Sequence, residues 1–132
     1  MSKHTEHAQR LRDDKAIHYN CTQAVLVPFA KEMGLTEQQA FDLGFNFGGG
    51  MKRASVCGAV TGGLMVMGMH GINDVKVLNK FYDAIKENHE GKLECADLLQ
   101  VSKKKGIEKK THCDAMIQQS ITLVEKLIEE NR

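Results

Sequence analysis

Four cysteines, Cys21, Cys57, Cys95 and Cys113, carry the chemistry that this chain offers most openly. Each begins a stripe at i, i+3, i+4: Cys21 with Ala24 and Val25, Cys57 with Val60 and Thr61, Cys95 with Leu98 and Leu99, Cys113 with Met116 and Ile117. Residues at that spacing share one helix face, so each sulfur is expected to point toward the same interior as the mostly apolar residues below it. Each cysteine also falls in or near an expected first turn, where unpaired N–H groups and the helix dipole favour thiolate over thiol. Thiolate is the form that attacks disulfides and binds metals, and cysteines at helix N-termini titrate at roughly 3.5–7.5.

Two chemistries use such a set. In thiol–disulfide exchange one thiolate attacks and a second thiol resolves the mixed disulfide. Cys57 is the expected attacker, because Lys52 and Arg53 precede it, and Cys21 is its expected partner; Cys95 and Cys113 complete the catalytic set. Four cysteines permit three pairings, and no C-x-x-C motif selects one. The alternative is a metal centre in which Cys21, Cys57, Cys95 and Cys113 hold zinc or an iron–sulfur cluster. Their spacings of 36, 38 and 18 residues match no local finger or ferredoxin motif, so tertiary structure must assemble such a site. His18 and His112 are added ligand candidates, although lone histidines are more often surface residues. Met51, Met65, Met67 and Met69 offer soft sulfur to copper(I), but methionines in an apolar helix usually fill gaps.

A third class is a non-enzymatic helical binding module, with the loop from Phe45 to Arg53 holding an anion at the following helix. That loop lacks the G-x-x-x-x-G-K-[ST] arrangement and a preceding strand. No serine triad, zinc-protease helix or paired-carboxylate pattern is present.

The elements that position these groups read as helices. A first helix is expected over Glu6–His18, with residues 1–7 largely a mobile terminus in which His4 and His7 carry no role. Asn20 and Gln23 resemble a capping box that opens a second helix at Cys21, running past Met33 to Gly34 and bent near Ala24 by Pro28. Thr36 caps a short third helix, Glu37 to Leu43, closed by Gly44. Phe45 to Gly50 reads as a loop. A fourth helix spans Ser55 to Met69, and Asn73 or Asp74 caps a fifth bearing Val77, Leu78, Phe81, Tyr82 and Ile85. A short helix covers Leu93 to Val101, Ser102 to Thr111 is a solvated basic loop, and the last helix carries the stripe from Cys113 to Ile128. The class is all-α: one domain over residues 1–132, a bundle of five to seven helices around the glycine- and alanine-rich fourth. Gly58, Ala59, Gly62 and Gly63 leave that helix a nearly bare flank. A glycine costs about 0.8–1 kcal/mol against alanine in a helix. Close approach of neighbouring helices, bringing their cysteines to Cys57, would offset this, and Gly58, Ala59 and Gly62 are the expected cofactor-binding surface.

At 132 residues, 42% hydrophobic and 27% charged, the composition suits one compact domain. A net charge of +1 implies no strongly charged partner, and the five lysines of Ser102–Thr111 lack the interleaved aromatics of a nucleic-acid contact. The charged N-terminus lacks the apolar centre of a secretory signal, which makes the cytoplasm the expected location, where the cysteines read as thiols, metal ligands or cycling redox groups rather than structural disulfides. Ala54 to Ile72 is uncharged over 19 residues, but its glycines and His70 suit burial in protein better than lipid. No membrane association is expected. The redox partner is not named by the sequence, and the methionine-rich helix suits a homo-oligomer interface equally well.

Cys21 after Tyr19-Asn20, the loop Phe47-Gly-Gly-Gly-Met51, the segment Cys57-Gly-Ala-Val-Thr-Gly62 and the single cysteines Cys95 and Cys113 together resemble the C_GCAxxG_C_C family, over roughly residues 8 to 130. The family's name spells its core G-C-A-x-x-G, where this chain reads Cys-Gly-Ala. The resemblance implies a small helical protein with thiol redox or cofactor chemistry, and no particular substrate.

Overall fold

The computed structural model describes residues 2–132, leaving Met1, the first position of the expected mobile terminus, outside the described residues. Among the described residues seven α-helices follow one another: α1 (Lys3–Asp13), α2 (Cys21–Leu26), α3 (Glu37–Phe45), α4 (Gly58–Met69), α5 (Val75–Glu87), α6 (Cys95–Lys104) and α7 (Lys109–Glu130). The fold is an all-α single-domain bundle.

Helix α4 lies at its centre, packed most extensively on α2 and then on α7. Its glycines explain the arrangement. A Cβ on Gly58 would sit 2.7 Å from Thr22 Oγ1, one on Gly62 3.0 Å from Val25 Cβ, and one on Gly63 2.6 Å from both Phe81 Cζ and Ser120 Oγ. The bare flank expected from sequence therefore admits α2 on one side and α5 and α7 on another. Two buried hydrogen bonds, Thr22 Oγ1 to the Gly58 carbonyl at 2.9 Å and Ser120 Oγ to the Ala59 carbonyl at 2.7 Å, fix the crossings. Apolar side chains complete the core: Val25, Leu26, Val60, Met67, Phe81, Ile85, Met116, Ile117 and Ile121 are almost wholly buried, each aliphatic one stabilising by about 1.5–3 kcal/mol.

Several boundaries differ from those the sequence suggests. α1 starts at Lys3 instead of Glu6, so residues 3–7 begin a docked helix where a mobile terminus was expected. His4 stacks on Phe29 with ring centroids 3.8 Å apart, and Gln118 donates to the Thr5 carbonyl at 2.9 Å. α2 stops at Leu26 and passes into a 3₁₀ turn over Val27–Phe29, because Pro28 has no N–H to continue the α ladder. α3 runs on through Gly44, which is buried against the Gln23 backbone. The expected basic loop Ser102–Thr111 is mostly helical, with α6 reaching Lys104 and α7 beginning at Lys109. Among the described residues no helix is long and apolar enough to cross a membrane, including the uncharged segment from Ala54.

Candidate functional site

Each cysteine occupies the start of a different helix. Cys21 is the first residue of α2, whose cap is complete: Asn20 Oδ1 accepts from Gln23 N, and Gln23 Oε1 accepts from Asn20 N, both at 2.9 Å. Cys57 is the N-cap of α4, Cys95 the first residue of α6, and Cys113 lies just past the first turn of α7. A single antiparallel bridge, Val56 with Glu94, ties two of these starts together. Cys57 N donates to the Leu93 carbonyl at 2.9 Å and Cys95 N to the Ser55 carbonyl at 2.6 Å. This pairing also explains why α4 begins at Gly58: the backbone at Ser55 and Cys57 is spent on the bridge before the helix can start.

The thiols are free and within electrostatic reach of one another. Cys21 and Cys113 act on each other's ionisation most strongly. The Cys21 thiol serves Cys113 as hydrogen-bond donor, and this, against the opposing effect of burial and with help from the Arg12 and Lys109 cations, pulls Cys113 down to about 7. The same interaction, then burial and the charges of Cys113 and Cys57, holds Cys21 far above the ordinary thiol range. The two sulfurs thus share one readily lost proton and one that is hard to remove.

Cys57 and Cys95 differ from that pair. Cys57 is 5% exposed. Burial pushes its thiol up to about 11, even though the Ala59 and Val60 N–H groups at the head of α4 face its sulfur. Helix position alone suggested a thiolate there, and desolvation outweighs it. Cys95 is half-buried and raised by burial and by Cys113, with Lys109 acting the other way. The cations acting on the thiols are accordingly Arg12 and Lys109. Lys52, expected to act on Cys57, instead lies over the Phe45 ring, 4.6 Å from its centroid.

Cys21, Cys95 and Cys113 open onto a cleft of about 600 Å³, whereas Cys57 is buried and does not line it. Arg12, His18, Lys52, Lys109 and Lys110 also line it. Arg12 is held in place: its Nε donates to Asp114 Oδ1 at 2.7 Å and its Nη1 to the Tyr19 carbonyl at 2.8 Å. On the far side the chain from Gly49 to Ala54 forms a wide turn that brings Lys52 to the cleft. Gly49, Gly50, Met51, Lys52 and Ala54 all have φ between 57° and 66°, and three of these are not glycine. Left-handed conformations of that kind cost of order 1–3 kcal/mol each and persist where surrounding structure enforces them.

The expected cofactor surface is used differently. Gly58, Ala59 and Gly62 are buried beneath α2 and α7 and line no part of the cleft. Among the described residues no three cysteine, histidine, aspartate or glutamate side chains gather to hold a metal ion. With Cys57 buried away from the cleft lining as well, a zinc or iron–sulfur centre on Cys21, Cys57, Cys95 and Cys113 does not fit this arrangement. His112 is no ligand candidate: it is buried, and its Nδ1 lies 2.5 Å from Ser102 Oγ. Met67 is in the core while Met51 and Met69 are exposed, so these three do not share one soft site.

The model of the family described as "Putative redox-active protein (C_GCAxxG_C_C)" matches residues 19–127. This chain belongs to the C_GCAxxG_C_C family. No curated protein and no solved structure matches it. The matched span contains all four cysteines, but it leaves out α1 and with it Arg12. Sequence inspection missed Arg12, Lys109 and Asp114 as site residues, because nothing local marks them: α1 brings Arg12 across the bundle, and Lys109 sits in a lysine-rich stretch that reads as solvated.

Proposed function

We propose that this member of the C_GCAxxG_C_C family performs thiol–disulfide exchange, with Cys113 as attacking thiolate and Cys21 as resolving thiol. What supports the reading is the Cys21–Cys113 pair: one sulfur is acidic, its partner keeps its proton, and Arg12 stands beside both. Burial of Cys57 moves the attacking role away from the residue that sequence favoured.

Two steps follow. The Cys113 thiolate attacks one sulfur of a substrate disulfide, forming a Cys113–substrate S–S bond and expelling the other half as thiolate. Cys21 then attacks the Cys113 sulfur, gives up its proton to the departing thiolate, and releases the second half. The protein ends with a Cys21–Cys113 disulfide, and the substrate has gained two electrons as two thiols. A thiol-bearing donor resets the pair, and the reducing cytoplasm is the proposed setting.

Peptide mapping of reduced protein after exposure to a disulfide tests this. The expected product joins Cys21 to Cys113, the Cys21→Ala variant should stop at a mixed disulfide on Cys113, and the Cys113→Ala variant should form neither. A mixed disulfide that accumulates on Cys57 or Cys95 instead would remove the assignment.

A further inference from the structure

The thiols account for exchange but not for the rest of the cleft wall. Four of its side chains, Arg12, Lys52, Lys109 and Lys110, are cationic, and among the described residues no carboxylate lines it. The excess is local, since the whole chain carries only +1. Arg12 and Lys110 are already engaged: Asp114 accepts from both, and Asp13 accepts from Lys110 at 3.2 Å. Lys52 and Lys109 are different. Neither forms an ion pair with an acidic side chain among the described residues, Lys52 resting only on the Phe45 ring, and they come from separate parts of the fold, the strained turn before α4 and the first residue of α7. Lys109 lies close enough to both Cys95 and Cys113 to favour their thiolates. A negative group held between those lysines would therefore lie beside the attacking sulfur.

The cleft's size limits what reaches it. About 600 Å³ is within the range of small-molecule sites, roughly 300–1,000 Å³. We infer that the substrate of this site is a low-molecular-weight disulfide bearing carboxylates, held by Lys52 and Lys109 while Cys113 attacks its sulfur. This rests on the exchange reading above and adds to it the charge and size of the molecule reduced. The carboxylates take no part in bond making: the S–S bond breaks, Cys113 and then Cys21 supply the two electrons, and two carboxylate-bearing thiols leave. Clefts lined by one sign of charge raise association rates of oppositely charged ligands by roughly 10–10³.

Three disulfides of similar size separate the possibilities: 3,3′-dithiodipropionate, which is dianionic, 2-hydroxyethyl disulfide, which is neutral, and cystamine, which is dicationic. Single-turnover oxidation of the Cys21–Cys113 pair is followed for each, and every rate is divided by that of the urea-unfolded chain to remove intrinsic differences between the reagents. The dianion should then exceed the dication by about tenfold or more. High salt should collapse that ratio, because exposed charges are screened beyond about 3 Å at 1 M ionic strength. Lys109→Gln and Lys52→Gln should each lower the ratio of anionic to neutral rates. Equal normalised rates for all three reagents, or a preference that survives loss of both lysines, would overturn the inference while leaving exchange intact. Failure of every reagent to join Cys21 to Cys113 would overturn the exchange reading itself and this inference with it.

Discussion

The Cβ of Cys21 lies 3.3 Å from where a side chain on Gly58 would begin. One missing methyl group thus lets the head of α2 rest on the head of α4, which sets where the Cys21 sulfur stands relative to Cys113. Gly58→Ala would also drive into Thr22 Oγ1 and threaten its hydrogen bond to the Gly58 carbonyl. Overpacking of this kind costs about 1–3 kcal/mol. Urea denaturation should show that loss, together with slower closure of the Cys21–Cys113 disulfide. Gly68 is the control on the same helix: nothing lies within 4 Å of a Cβ there, so Gly68→Ala should stabilise by about 0.4–1 kcal/mol. Equal effects at both positions would show that the close approach has no special importance.

Reactivity should follow pH unevenly across the thiols. Cys113 sits at about 7, so its alkylation rate should climb through neutrality and level off above it. Cys57, at about 11 and nearly inaccessible, should stay silent over that range. Cys21→Ala removes the donor that favours the Cys113 thiolate, and the Cys113 midpoint should move up toward the ordinary thiol value. Iodoacetamide labelling read by mass spectrometry gives all of these, and a wild-type Cys113 midpoint near 9 would contradict the assignment.

That each cysteine stands at or near the start of a helix was legible in the sequence, because each heads an i, i+3, i+4 stripe. The relative acidity of the thiols was not. It depends on the burial of Cys57 and on Arg12 arriving from α1, and local pattern encodes neither. Helices α5 and α7 were readable from strong periodicity and from Asp74, whose Oδ1 accepts from Lys76 N at 2.9 Å. The start of α4 was misplaced because the Val56–Glu94 bridge is a tertiary pairing. The junction between α6 and α7 is the exposed turn that its lysines suggested, but the expected loop was too long: residues 102–104 end α6 and 109–111 begin α7, since lysine is a good helix former and the buried Ser102–His112 contact closes the corner.

That contact carries a second pH dependence. Burial first, and then the charge of His89, hold His112 below its ordinary value of 6.5. The unfolded chain therefore takes up a proton at this position before the folded one does. Stability from the neutral ring is present above about 6.5 and is lost as pH falls below it. Denaturation of the wild type and His112→Gln at pH 7 and pH 5 isolates the contribution: the wild type should lose more on acidification than the variant. An identical loss in both would mean that His112 takes up its proton over the same pH range folded and unfolded, and that the neutral ring contributes no pH dependence.

His4 provides the test of whether α1 belongs to the site. Its ring stacks on Phe29 at 3.8 Å, with Nδ1 2.7 Å from Glu125 Oε2 and Nε2 2.8 Å from Glu32 Oε1. These contacts fasten the start of α1 to the end of the bundle opposite the cysteines, while Arg12, two turns further along, reaches the thiols. Hydrogen bonds to charged groups contribute about 1.5–3 kcal/mol each when well shielded, and these are partly exposed, so His4→Ala should cost about 1–3 kcal/mol in all. The informative readout lies at the other end. If α1 holds Arg12 in register, loosening its start should raise the Cys113 alkylation midpoint in the same direction as Arg12→Gln, though by less. Should Arg12→Gln raise the midpoint while His4→Ala lowers stability alone, the Asp114 and Tyr19 contacts suffice to seat Arg12. A midpoint unmoved by either variant would remove Arg12 from the site and leave Cys21 and Lys109 to account for the acidity of Cys113.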